Sequence, residues 1–221
     1  MASRRLGTPE RQEPDGGGTW RDRWPARRAA CVLLILLPCL LFPGRLLAWS
    51  LADARAGYGQ FGLGLIGGLA MHEFGHFVVA SAKGYRVRFD GPSLVYPDLE
   101  STGAERLQVA SAGFQAQWLL TELSFVGMEG DGPWSDNFGA GTICAHLGIS
   151  LAYLTFLKDH HQGDVVGMAE AVGMSHDQVA LAVAVPAALD AWRLFGTQPP
   201  AWLPRLSMFA KGIGVGWVWT Y

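Results

Sequence analysis

Charge is scarce once the first 28 residues are set aside. Charged side chains make up 16% of the 221 residues, against roughly 25% in an ordinary globular chain. Of the 36 charged residues, 11 lie in positions 1–28, which leaves 25 for the other 193 residues, about half the usual share. Arg4, Arg5, Arg11, Arg21, Arg23, Arg27 and Arg28 give that stretch a formal +3, and the rest carries −5 of the total of −2. With no basic face outside the tail, nucleic-acid binding is excluded. Cysteine is equally sparse: Cys31, Cys39 and Cys144 are odd in number and sit in apolar runs, so they read as small hydrophobes and not as a disulfide framework. No internal repeat is present.

What remains is apolar and aromatic: 50% hydrophobic residues, 9 Trp and 29 Gly. Residues 1–28 are rich in Gly, Pro and Arg, cannot bury enough apolar surface to offset chain entropy, and read as a flexible tail. From Ala29 to Trp49 runs close to the ~20 apolar residues that cross a bilayer. That stretch is a first span or a signal sequence. Ala52-Asp53-Ala54 would permit cleavage, but the long polar lead and the later apolar runs favour an uncleaved helix. Further apolar stretches lie near 58–82, 107–127, 139–157 and 178–195, with a short aromatic one at 208–221. The expected fold is an all-α polytopic membrane helical bundle of about five to six spans. The Arg-rich tail and Lys83–Arg88 fall on one side and the acidic Glu129–Gly132 loop on the other, which puts the N-terminus in the cytoplasm. A bacterial-type inner (plasma) membrane is the expected location. Trp49, Trp118, Trp134, Trp192 and Trp202 mostly lie near the ends of these spans, where an indole sits at headgroup depth.

The motif that carries chemistry is His72-Glu73-Phe74-Gly75-His76. On a helix, imidazoles four apart stand one turn above each other, about 5–6 Å apart at Cβ, close enough for both to reach one Zn²⁺ at about 2.0–2.1 Å. Glu73 then stands beside a water on the metal and can take its proton. Ionisable groups within a membrane helix cost on the order of 2.5–3.5 kcal/mol each, so three in one turn call for a compensating partner such as a metal. Gly64, Gly68, His72 and His76 form an i+4 row, and small residues on such a ridge allow close helix approach, so the imidazoles should face inward.

A tetrahedral zinc needs a third protein ligand and one open position. The candidates are Asp164, His160, His161, Asp159, Glu170, His146 and Glu122. Asp164 is preferred because Gly163 precedes it at the mouth of an apolar helix, although Asp at such a position also serves as a helix cap. His161 comes next and Glu170 third. His146, beside Gly141, Ala145, Gly148 and Ala152, reads as a polar contact between helices. Tyr85, Val87 and Phe89 alternate with Arg86, Arg88 and Asp90, a period of two that fits a strand edge or a short β-hairpin after the motif helix.

Three segments together resemble the site-2 protease family of intramembrane zinc metallopeptidases: His72–His76, Ala80–Val87 leading into Phe89-Asp90-Gly91-Pro92, and Ala110–Gln117. The resemblance covers roughly residues 58–170 and is most specific in the first segment. It implies that residues 29–221 form an integral membrane metallopeptidase-like domain. In that domain His72 and His76 would be zinc ligands, Glu73 the catalytic base, a later aspartate the third ligand, and a membrane protein or peptide the substrate. Two features depart from the family pattern. The family places its last ligand in an Asn-Pro-containing stretch ending Asp-Gly, whereas here it would sit in Asp159-His160-His161-Gln162-Gly163-Asp164; and Gln115 or Gln117 stands where a substrate-contacting Asn is expected.

Other readings stay open on the sequence: a zinc peptidase with a Glu third ligand, or a non-catalytic scaffold that keeps a structural metal. A di-iron oxidase would need several His boxes, and six histidines with one box argue against it.

Overall fold

The computed structural model describes residues 49–50, 57–90, 93–99, 103–129 and 136–221. The Arg-rich tail, most of the first apolar segment with Cys31 and Cys39, Ala52-Asp53-Ala54, and Gly130–Gly132 with Trp134 lie outside the described residues.

The motif helix, α1, runs Tyr58–Ala82. It ends where Lys83 N–H turns back to the Val79 and Ala80 carbonyls and Gly84 takes φ +81, a left-handed conformation that costs glycine nothing. Tyr85 N–H bonds Ala80 O, so this helix end consumes the start of the alternating stretch. The strand is therefore shorter than its alternation predicts: β1 is Arg88–Asp90, paired antiparallel with β2, Ser93–Val95. Arg86 straps the base of this hairpin with two bonds to Asp98, of 2.6 and 2.5 Å, which hold the Asp98 carboxyl below the usual carboxylate range. Tyr85 reaches Glu105 instead of joining the sheet.

Five more helices follow among the described residues: α2 (Ala104–Glu129), α3 (Asp136–Thr155), α4 (Asp164–Val172), α5 (His176–Phe195) and α6 (Leu203–Thr220). α5 starts with a reciprocal capping box between Ser175 and Gln178. Three helices, α1, α3 and α5, are long and apolar enough to cross a membrane. The expected stretches at 107–127 and 208–221 also form helices, but α2 and α6 are not among these three. α2 is interior and polar, burying Gln108, Ser111, Gln117, Thr121 and Ser124.

Gly64, Gly68, His72, His76 and Ala80 are buried on α1, as their i+4 row requires, with Gly75 buried beside them, while Leu63, Ile66, Phe74 and Phe77 are exposed on its outer face. A Cβ on Gly64 would strike the Phe138 carbonyl, and one on Gly141 would strike Phe61 O. Only glycine at both positions lets α1 and α3 touch backbone to backbone. Gly148 has open space and takes no part in this contact. α1 thus lies parallel to α3, while α2 packs antiparallel against both, with Gln117 near Gly68, Val109 near His76 and Ser124 at Thr142. Lys83 pairs with Glu105 at the start of α2, and Glu129 ends that helix. The Lys83–Arg88 and Glu129 segments therefore lie at opposite ends of the bundle.

Not every tryptophan sits at a helix end. Trp118 is buried at mid-α2, against Gly214 of α6, whereas Trp192 and Trp202 meet edge to face at the α5–α6 turn. Beside Trp118 lies a buried ion network that apolar periodicity does not signal. Glu122 of α2 accepts from Arg193 Nη1 of α5 at 2.6 Å and from Lys211 Nζ of α6 at 2.5 Å. Asp190 pairs with Arg193 at 3.1 Å and Lys211 at 2.6 Å and accepts from Ser207 Oγ at 2.6 Å. Two carboxylates and two cations therefore balance inside the helix packing.

Candidate metal centre

Four separate helices bring the site together. His72 and His76 extend from α1 towards α2, and both are 3% exposed. Their Nε2 atoms lie 3.2 Å apart. Asp164, the first residue of α4, places Oδ2 2.8 Å from His72 Nε2 and Oδ1 3.2 Å from His76 Nε2. Among the described residues these three are the group able to hold a metal ion, with donor atoms all within 4.8 Å of one another. Asp164 does not cap its helix with its side chain. Its carboxylate points at the imidazoles.

The outer nitrogens decide which atoms face the centre. His76 Nδ1 is 2.7 Å from the Val109 carbonyl, so it must donate there. His72 Nδ1 is 3.1 Å from Gln117 Oε1, and the same amide's Nε2 donates to Gly68 O at 3.3 Å. With both Nδ1 atoms donating, both Nε2 atoms present lone pairs. In that form two imidazole lone pairs and a carboxylate face one another, an arrangement that a proton or a cation between them satisfies.

A cradle for that positive species is left by Gly113 on α2. A Cβ there would lie 2.6 Å from His72 Nε2 and would also strike His76 Nε2. Gly113→Ala should therefore push the donors apart and weaken metal binding at least as much as loss of an outer-sphere hydrogen bond, about 10–100-fold. A zinc titration on the purified chain checks this, with Gly148→Ala, which meets nothing within 4 Å, as the neutral control.

Glu73 is exposed and lines a cavity of about 440 Å³ with His76, Asp164, Tyr153, Arg106 and the β2 residues Leu94 and Val95. Tyr96 lines it too; burial and the negative charges of Asp164 and Glu73 push its phenol up, so it stays protonated. The remaining sequence candidates are placed elsewhere. His160 and His161 stack on each other at the cavity wall, and Asp159 pairs with His176. Glu170 is engaged by Arg106 at 2.6 Å. Glu122 belongs to the ion network, and His146 is fully buried 3.7 Å from Asp190. Gln117 supports His72, and Gln115 bonds Ser111 and Trp219.

Tyr153 of α3 had no sequence signal as a site residue. Its hydroxyl donates to Asp164 Oδ2 at 2.9 Å, and its ring meets Phe114, which in turn packs edge-on against His72. Val109 and Gly113 act through backbone and absence of a side chain, features that no motif marks. No family model, curated protein or solved structure matches the chain, so the chemistry of the centre is read from its own geometry.

Proposed function

We propose that the chain is an intramembrane zinc metallopeptidase of the site-2 protease type, a multi-pass protein that hydrolyses peptide bonds of membrane-spanning substrates. The convergence of His72 Nε2, His76 Nε2 and the Asp164 carboxylate beside Glu73 carries this reading. Ligand atoms of a tetrahedral zinc with bonds of about 2.0–2.1 Å lie about 3.3 Å apart; the two Nε2 atoms, 3.2 Å apart, are close to that edge, and Asp164 offers each imidazole a different carboxylate oxygen, Oδ2 at 2.8 Å from His72 and Oδ1 at 3.2 Å from His76. Two neutral imidazoles and one carboxylate are a usual donor set for a catalytic zinc, with a fourth position left for water. The apolar outer face of α1 and the apolarity of α3 and α5 support placement in a bilayer.

Bound there, zinc would supply Lewis acidity, making water a better proton donor and a peptide carbonyl a better electrophile. Glu73 holds its carboxylate in the cavity, where it accepts a proton from the attacking water and passes it to the departing amine. His72 and His76 keep their Nε2 lone pairs inward because Gln117 and Val109 hold the other ring nitrogens. A transmembrane substrate hides its peptide groups in its own helix, so it must unwind before attack. β2 lines the cavity and pairs with β1 on one side, and its other edge offers backbone groups to an extended segment.

The test is cleavage of a tagged single-span protein co-reconstituted with the purified chain in liposomes. Zinc-dependent release of the tag supports the reading, and an intact substrate with zinc bound overturns it in favour of a non-catalytic metal scaffold.

A further inference from the structure

The link between Tyr153 and Asp164 is double. The phenol donates to the carboxylate at 2.9 Å and accepts from the backbone N–H of the same residue at 3.2 Å. That N–H is one of the donors a helix start leaves without an intrahelical partner. Gly163 at the N-cap brings no side chain to satisfy it. One hydroxyl therefore anchors the start of α4 and the direction of its first side chain together. This matters because Asp164 stands 92 positions from His72 in sequence and joins the histidines from a nine-residue helix behind a glycine. Nothing local to α4 fixes the carboxylate against the imidazoles. Tyr153 can, because its own ring is wedged at 5.3 Å against Phe114, whose edge-on contact with His72 is 5.1 Å. The hydroxyl holding Asp164 is thus referenced to His72 through two aromatic contacts.

We infer that Tyr153 is a positioning residue, which holds Asp164 in the orientation that lets its carboxylate complete the metal centre. The inference rests on the metal-binding part of the reading above and not on catalysis. Tyr153 is set apart from Gln117 and Val109 by its target: those two orient the histidines, and Tyr153 orients the ligand contributed by another helix.

Tyr153→Phe keeps the ring and its packing on Phe114 and removes only the hydroxyl. Zn²⁺ affinity of the full-length chain in detergent, measured by competition with a chromophoric chelator, is expected to fall about 10–100-fold, with helix content by circular dichroism unchanged. In an Asp164→Ala background the same substitution is expected to change affinity less than twofold, because the hydroxyl acts through the carboxylate. Equal affinity for Tyr153→Phe and wild type overturns the inference alone. So does an equal loss in both backgrounds, the mark of a merely structural role. A wild-type chain that binds no zinc overturns this inference and the metallopeptidase reading together.

Discussion

Replacing Glu73 with Gln is expected to lower cleavage of a single-span substrate by about 10²–10⁴-fold, the usual worth of a positioned general acid–base group, while zinc stays bound. The substitution is close to isosteric and leaves His72, His76 and Asp164 in place. An amide cannot accept the water's proton, so kcat falls and zinc affinity is unchanged within a factor of a few. The split between these readouts separates Glu73 from the ligands, since Asp164→Ala should reduce both. Single-turnover assays in liposomes with parallel metal analysis measure it. Equal cleavage by wild type and Glu73→Gln, with zinc present in both, would remove the proton-transfer role assigned to this carboxylate.

The second large effect lies in the ion network. Asp190→Ala is expected to destabilise the fold by about 3–5 kcal/mol, because it strands Lys211 and Arg193 with Glu122 as the one remaining counter-charge. The Asp190 side chain is fully buried, so water cannot take over its role. Replacing both partners, Asp190→Leu with Lys211→Met, removes one charge of each sign and leaves Arg193–Glu122 balanced. That double variant should recover most of the loss, since a buried pair is often replaceable by apolar residues at little cost. Denaturant titration in detergent, followed by circular dichroism, gives both values. A loss below about 1 kcal/mol for Asp190→Ala would be the behaviour of a solvated surface pair and would contradict the buried arrangement.

Much of the centre was readable from the chain because it depends on local periodicity. Histidines four apart on a helix share a face whatever surrounds them, and the small residues at 64 and 68 on the same row identify that face as the packed one. Asp164 was distinguishable because a glycine followed by Asp and an apolar run marks a helix start, which points an early side chain away from the helix body. Parts of the site supplied by other helices were not readable. Tyr153 looks like one more aromatic in an apolar helix, Gly113 like one more small residue, and Val109 acts through a carbonyl that every residue has.

The two glutamines show a subtler limit. They stand where the resembled family has an Asn, and register on α2 turns Gln117 to His72 and Gln115 to Trp219, a difference that their spacing alone does not show. Glu122 and Glu170 also looked like available ligands. Their partners, Arg193 with Lys211 and Arg106, lie between 64 and 89 positions away, a pairing that only the packing of the helices reveals. The fold followed the same division: helices were legible from apolar period and strand length was not, because the α1 terminus takes up Tyr85 and the loop takes up Arg86.

The most direct test of the central claim is metal stoichiometry. The purified chain, loaded with zinc and dialysed in detergent, should retain about one equivalent by atomic emission analysis, and His76→Ala should retain markedly less while keeping its helix content. A wild-type chain that emerges metal-free, or a His76→Ala chain that holds zinc as firmly as wild type, would contradict the claim that these imidazoles and Asp164 together form a metal centre.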